Sequence, residues 1–477
     1  MQRVSPILYL IIITYLILGY LYATLTPPWQ TPDEPAHYNF VRYVSEVGQL
    51  PELTMGCYDA AYLGQLTSEK FPPHLSIDTV CYEHYQPPLY YILASPIFTL
   101  SGGNLIAVRL FSVVLGGISL FFVYQTICLF SQSTTIPLTT TAVVAFVPMH
   151  LTMLSAVNND SLAELLLVLL VYLTLRWHLQ KRVQGQPVPY WIGIILGLIL
   201  LTKVTIYISI PIVALVLLLG DRHPANLIKQ GVRVYLPAFV IALPWYIRNS
   251  LVYGGVDILG LRRHDAVVVG QLRTADYVAD VGLSHYFSTL TTTVFHSFWG
   301  QFGWMAVPMD NRVYQALMVL QVLGLCGIIL WLWKKPPTTK QAKHGLWVMI
   351  SIIILALGIF VGLNRSFVQF QGRYFFTALM PLALFFSLGL SAALKREAAV
   401  YVAAGLFVLT CWVGLQSLLT TGLDKWGVLI TGGAFIAILA RRWIPLEQPR
   451  WFLAFVCSGL AGLSALSIWW FIIPNLS

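Results

Sequence analysis

The sequence predicts an all-α fold, a polytopic transmembrane helical bundle of about thirteen spans, and three observations carry that reading. Apolar runs of roughly 20 residues, the length that crosses a bilayer's hydrocarbon core, recur almost to the C-terminus. Hydrophobic residues make up 57% of the chain and charged residues 10%, with a mean hydropathy of +0.74. Lys and Arg gather in short segments between the runs. Against so apolar a background, each isolated ionisable group is a candidate functional group.

In chain order the expected spans are 7–24, 105–128, 137–155, 161–178, 188–202, 204–219, 233–251, 313–333, 345–363, 373–394, 398–418, 427–440 and 451–472. The segment 86–103, with Pro87, Pro88 and Pro96, is a fourteenth candidate span, or else dips in and returns or lies flat. The first span is long for a signal-peptide core and is read as retained. Lys181-Arg182, 222–233, 334–343, Lys395-Arg396 and Arg441-Arg442 fall on one side, which the positive-inside bias makes cytoplasmic. They agree if 188–219 is two half-helices broken near Lys203. Segments 26–104, 252–312 and 364–372 are then external. The net charge of +9 is mostly this orientation signal, and nothing calls for a nucleic-acid partner.

The cytoplasmic loops are too short for a dinucleotide-binding domain, and no Gly-rich phosphate loop occurs. A cytoplasmic nucleotide-sugar or ATP therefore fits poorly, whereas a lipid carrying an activated group fits well. Four cysteines, Cys128, Cys326, Cys411 and Cys457, lie in apolar spans as small hydrophobes. Cys57 and Cys81 are external and form a disulfide if the compartment is oxidising.

Just beyond the first span stands Thr31-Pro32-Asp33-Glu34-Pro35-Ala36-His37. Residues 26–85 carry eight acidic side chains against Arg42 and Lys70. Ala36, Phe40, Val44 and Val47 recur at helical spacing opposite His37, Arg42 and Glu46, which predicts an amphipathic helix on the membrane surface. One carboxylate could simply cap that helix ahead of Pro35, but two stand here beside a histidine.

Further polar groups recur near the external face. Glu83-His84-Tyr85-Gln86-Pro87-Pro88 is expected to aim His84 and Gln86 at one spot, and Asn158-Asn159-Asp160 is an external turn or N-cap. Lys203 in an apolar stretch needs a partner or a cavity, because a charge at the bilayer centre costs roughly 2.5–3.5 kcal/mol. Arg248 and Arg373 stand outside against the positive-inside bias and offer planar forks suited to phosphate. Trp299 and Trp304 offer faces for a sugar ring or an interfacial belt. A loop carboxylate able to take a proton, with cations able to hold a departing phosphate, is the equipment for glycosyl transfer from a polyprenyl-phosphate sugar. A polysaccharide ligase or polymerase with a diphosphate-linked donor, and a lipid or sugar transporter, remain alternatives.

Asp33-Glu34, His84-Tyr85-Gln86-Pro87-Pro88-Leu89-Tyr90-Tyr91, Leu200-Leu201-Thr202-Lys203, Trp245-Tyr246-Ile247-Arg248-Asn249 and Gln371-Gly372-Arg373-Tyr374, in that order, resemble the GT-C superfamily of integral-membrane glycosyltransferases. The similarity is greatest to the protein mannosyltransferase and aminoarabinose transferase branch, and to bacterial membrane proteins with an Asp-Glu-Pro-Ala-His motif. It covers residues 1–395 as a catalytic module, leaving 396–477 as C-terminal membrane helices. The familiar His-Pro-Pro is interrupted here by Tyr85 and Gln86.

The resemblance implies an extracytoplasmic active site in a bacterial plasma membrane and a lipid, glycan or protein acceptor. Asp33 would be the base, with Glu34 positioning it or the acceptor. Lys203, Arg248, Arg373, His84 and Gln86 would hold the donor phosphate. His37, Tyr85, Asn159, Asp160, Trp299, Trp304, Gln371 and Tyr374 would meet sugar or acceptor. Some relatives use a divalent metal such as Mg, Mn or Ca near the carboxylates, which would fall at Asp33 and Glu34.

Overall fold

The computed structural model describes residues 5–179, 187–220, 223–335, 339–420, 422–443 and 450–476. Lys181-Arg182 and Arg222, used above for orientation, lie outside them, as do residues 336–338 of the 334–343 cluster.

The chain is a helical bundle. Its helices are α1 Pro6–Leu25, α2 Glu34–Val47, α3 Ala60–Ser68, α4 Leu89–Leu100, α5 Leu105–Cys128, α6 Thr135–Ala145, α7 Pro148–Leu154, α8 Asp160–Leu179, α9 Val188–Leu200, α10 Ser209–Gly220 and α11 Pro224–Tyr253. After these come α12 Leu261–Val267, α13 Thr274–Trp299, α14 Asn311–Trp333, α15 Lys340–Ser366, α16 Leu379–Ala393, α17 Ala399–Thr420, α18 Lys425–Ala440 and α19 Arg450–Ser467. Short 3-10 turns cover Tyr82–Tyr85, Val204–Ile208 and Gly372–Ala378. A two-residue antiparallel ribbon joins Gln301–Phe302 to Val307–Pro308.

Among the described residues nine helical segments are long and apolar enough to cross a bilayer, and the bent pair α6 and α7 would make a tenth. The thirteen expected spans counted the half-helices α9 and α10 separately and included α18, all of which are shorter apolar helices here. The break near Lys203 is present: α9 ends at Leu200, Lys203 is extended, and α10 starts at Ser209. Segment 86–103 holds only the 12-residue α4.

Two expectations need correction. The run 137–155 is not one straight span but bends by 65° between α6 and α7. Pro148 opens α7 and holds Val147 extended, because a residue before proline is pushed out of helical geometry. His37 is not on the polar face of α2. It is buried together with Ala36, Asn39 and Phe40, its Nδ1 satisfied by the Tyr91 hydroxyl at 2.8 Å, while Val47 is 49% exposed. The first two turns of α2 are thus inserted against α4 and the Tyr82–Tyr85 turn.

α1, α5, α6, α8 and α16 share the main core. α14, α17 and α18 build a second one. α14 and α16 approach closely where Gly324, Gly327 and Gly389 meet backbone to backbone, leaving no room for a Cβ. The segment from Arg450 packs back on the first half of the chain, with the Tyr22 hydroxyl donating to Ser464 O at 2.8 Å and Ser464 Oγ donating to Phe146 O at 2.9 Å.

Candidate active site

A cavity of 720 Å³ opens where α2, the Tyr82–Tyr85 turn, the start of α8, the Lys203 break, α12, the end of α15 and the Gly372–Ala378 turn converge. These segments lie far apart in sequence, and nearly all begin or end a helix. Asp33, His37, Tyr85, Gln86, Asp160, Lys203, Trp304, Gln371, Arg373 and Tyr374 line it. Ten of the expected site residues therefore meet in one place.

Asp33 occupies the cap position of α2 but makes no capping bond. Its left-handed backbone (φ 68°), costly for a side chain other than glycine, turns the carboxylate into the cavity. There Oδ1 accepts from the Tyr82 hydroxyl at 2.8 Å and Oδ2 from Arg373 Nη2 at 2.6 Å. Burial pushes this carboxyl up, but the Arg373 charge and the two hydrogen bonds outweigh it and hold it near a pKa of about 2.

Arg373 keeps donors to spare. Among the described residues its Nε has no hydrogen-bond partner and Nη1 has only Met153 Sδ at 3.9 Å, while the guanidinium lies over the Tyr374 ring. The arginine is held in place by Gly372, whose N–H donates to Ser297 Oγ at 2.7 Å. A Cβ at residue 372 would collide with the backbone at Val294 and Phe298, so the turn needs glycine. In the same lining Lys203 Nζ pairs with Asp160 Oδ1 at 2.6 Å. Tyr374 donates to Gln369 Oε1 at 2.8 Å, and Gln86 Oε1 and Gln371 Oε1 are buried without partners among the described residues. From the ion pairs the wall runs onto Ala356, Ile359 and Leu363, an apolar stripe at helical spacing along α15.

Other expected residues lie elsewhere. Glu34 is fully buried: Oε1 accepts from Arg109 Nε at 2.7 Å and Val157 N at 3.1 Å, Oε2 from Arg109 Nη2 at 2.6 Å and Trp29 N at 3.2 Å. Arg109 spends its remaining N–H groups on Ala23 O, Thr26 O and Pro27 O. Glu34 is therefore a brace tying the start of α2 to α5 and to the link between α7 and α8, not a cavity group. Arg248 donates to Pro51 O at 2.6 Å and Leu50 O at 3.3 Å and lies over Trp245, away from the cavity. Asn159 Nδ2 donates to Thr202 O at 3.2 Å behind the Lys203 break, and Trp299 is buried. His84 packs edge-on to Phe40, and burial lowers its pKa to about 4.

Cys57 and Cys81 form a disulfide, so the cluster they make with His84, the one three-ligand group of metal-binding type among the described residues, lacks free thiolates. With Glu34 saturated by donors, Asp33 and Glu34 do not form a joint metal site.

Sequence reasoning missed four groups. Arg109 was legible as a lone charge in an apolar span. Tyr82 immediately precedes, and Glu83 opens, a motif read for its histidine, glutamine and prolines. Glu83 lines the cavity, 9% exposed, with Oε2 unpartnered; burial foremost, then the Asp33 charge, raises its pKa to about 7. His264 of α12 faces Tyr85 at 4.4 Å between ring centroids, and burial lowers its pKa to about 4. Behind the wall, His150 Nε2 and Glu164 Oε2 pair at 2.6 Å beside a small void shared with Asp160 and Arg373.

Residues 85–247 match the family model of dolichyl-phosphate-mannose-protein mannosyltransferase. The fold matches the crystal structure of ArnT from Cupriavidus metallidurans in the apo state, with a TM-score of 0.50 and 13% identity over 96% of this chain and 76% of that one. It also matches the structure of ArnT from the same organism bound to undecaprenyl phosphate, with a TM-score of 0.51 and 13% identity over 96% of this chain and 74% of that one. No curated protein sequence matches. The resemblance to the GT-C superfamily drawn from the motifs thus has a family match over 85–247 and a fold match along nearly the whole chain.

Proposed function

We propose that this protein is a membrane glycosyltransferase that moves a sugar from a polyprenyl-phosphate donor to an acceptor hydroxyl, on the extracytoplasmic side of a bacterial plasma membrane. The observation that carries this reading is a cavity whose lining joins buried ion pairs to an apolar helical stripe. Lys203 and the free donors of Arg373 suit a lipid monophosphate, and the stripe Ala356, Ile359, Leu363 suits the start of its isoprenoid chain. The family match over 85–247 and the undecaprenyl phosphate in the ArnT structure support the same donor class.

The acceptor oxygen attacks the anomeric carbon as the phosphate departs from the opposite face, an inverting displacement. A monophosphate needs no acid to leave. The cations stabilise its growing charge, and a loop carboxylate takes the hydroxyl proton. Tyr85, Trp304, Gln371 and Tyr374 form the wall on which sugar or acceptor would rest.

The test offers the purified protein in liposomes a panel of radiolabelled polyprenyl-phosphate sugars, with bacterial envelope extract as the source of acceptor. Release of polyprenyl phosphate by wild type, and its loss in Lys203→Ala, is the expected result. Use of only diphosphate-linked donors would move the reading to a polysaccharide ligase or polymerase, and donor movement without cleavage to a transporter.

A further inference from the structure

We propose that Glu83 is the group that takes the acceptor's proton, and that Asp33 is a positioning residue holding Arg373. The assignment rests on the glycosyl-transfer reading above. It starts from the carboxylates that reach the cavity: Asp33, Glu83, Asp160 and Asp265. Asp33 is paired with Arg373 and Asp160 with Lys203, both at 2.6 Å, and Asp265 with Arg273 at 3.2 Å. Glu83 alone of the four has no cation in contact among the described residues, and its buried Oε2 has no hydrogen-bond partner.

Both oxygens of Asp33 are occupied, by Tyr82 and Arg373. A carboxylate held near a pKa of about 2 is a weak proton acceptor at neutral pH, and taking a proton would break the ion pair that orients the phosphate-binding guanidinium. Glu83 follows Tyr82 directly, so the turn that ties Asp33 also delivers Glu83 to the same cavity. His37 and His264, with pKa values lowered to about 3 and about 4, bring no positive charge at neutral pH. Burial, and after it the Asp33 charge, pushes the Glu83 pKa up, while Lys203, a Gln86 hydrogen bond and Arg373 work against it, and the balance near 7 is where a general base is efficient.

In the step itself, the acceptor O–H proton passes to the Glu83 carboxylate and the freed oxygen pair forms the bond to the anomeric carbon. The bond from that carbon to the phosphate oxygen breaks, with its electrons remaining on polyprenyl phosphate beside Arg373 and Lys203. The Glu83 proton then leaves to water in the cavity.

The experiment compares wild type, Glu83→Gln and Asp33→Asn in liposomes. It reads undecaprenyl phosphate binding, transfer against pH, and the infrared carboxylic C=O band. The wild type is expected to show transfer rising through about pH 7 and a C=O band titrating there. Glu83→Gln should bind undecaprenyl phosphate within twofold of wild type, unfold at the same temperature, lose the band, and lose transfer by about 100-fold or more. Asp33→Asn should bind about tenfold more weakly and shift the rise to lower pH, because a negative neighbour is gone, while still outpacing Glu83→Gln. Transfer by Glu83→Gln within threefold of wild type overturns the proposal, as does a C=O band that survives the substitution. A wild type silent on every donor overturns the glycosyl-transfer reading and the assignment with it; that failure is distinguishable because it precedes any substitution.

Discussion

Arg373 Nη2 lies 2.6 Å from Asp33 Oδ2, joining positions 340 residues apart across the mouth of the bundle. Asp33 is 23% exposed and Arg373 11%, so the pair is shielded but open to a ligand on one side. Removing the arginine should strip the proposed phosphate site of its planar fork. Arg373→Ala is expected to weaken undecaprenyl phosphate binding by about 10- to 100-fold, the worth of one or two charge-assisted hydrogen bonds. Arg373→Lys should recover little of it, which isothermal titration in detergent would measure.

Arg248→Ala should behave differently. Its guanidinium holds the carbonyls of Leu50 and Pro51 and lies outside the cavity, so the substitution should loosen that loop and lower the thermal midpoint. Lipid affinity should fall far less than in Arg373→Ala. Equal losses in the two variants would place Arg248 at the donor after all.

Glu34 and Arg109 make a buried pair with every N–H of the arginine used. Breaking it from one side leaves a stranded charge, so Glu34→Leu or Arg109→Leu should each cost about 3–5 kcal/mol of stability. The double leucine variant should recover much of that loss. Thermal unfolding of the three variants checks this. A Glu34→Leu protein of normal stability but no turnover would restore Glu34 to the chemistry.

Acid should weaken the bundle by a route that passes through His37. Burial, foremost, and then Lys203 lower its pKa to about 3, so the folded protein keeps it neutral. An unfolded imidazole takes a proton from about pH 6.5 downward, so the unfolded state binds more protons between about 6.5 and 3 and stability falls across that window. Asp33, held at about 2, adds a further loss below about pH 4. Glu83 acts in the opposite sense, favouring the fold at low pH and losing that contribution as pH rises through about 7. His37→Gln should therefore flatten the fall in melting temperature between pH 6.5 and 4.

Cys57 and Cys81 close a loop of 24 residues immediately ahead of Tyr82 and Glu83. Opening it by Cys57→Ser with Cys81→Ser should cost roughly 2–4 kcal/mol and loosen the turn that carries both residues. Transfer should fall more than undecaprenyl phosphate binding, since Arg373 and Lys203 are anchored elsewhere.

What could be read from the sequence was what a single residue announces against its neighbours. Lys203 stood out because a charge in an apolar run requires a break or a cavity, and the chain breaks there. Asp33, Asp160 and Arg373 stood out by lying at span ends, and they meet. What remained hidden depended on partners distant in sequence. The Glu34 and Arg109 pair spans 75 residues, and neither position says alone that it serves as a brace. His37 was assigned to the polar face of α2 because helical spacing cannot show that Tyr91 would satisfy it inside the core. The bend at Pro148 was outweighed by the unbroken apolar character of 137–155.

That bend has a consequence for how the protein is assembled in its membrane. Breaking a helix between Ala145 and Pro148 frees backbone groups that lipid cannot satisfy. The carbonyl of Phe146 is answered by Ser464, from a segment inserted more than 300 residues later. That carbonyl gains its partner only once Arg450–Ser467 has been made, which ties the local order of the bend to the last part of the chain.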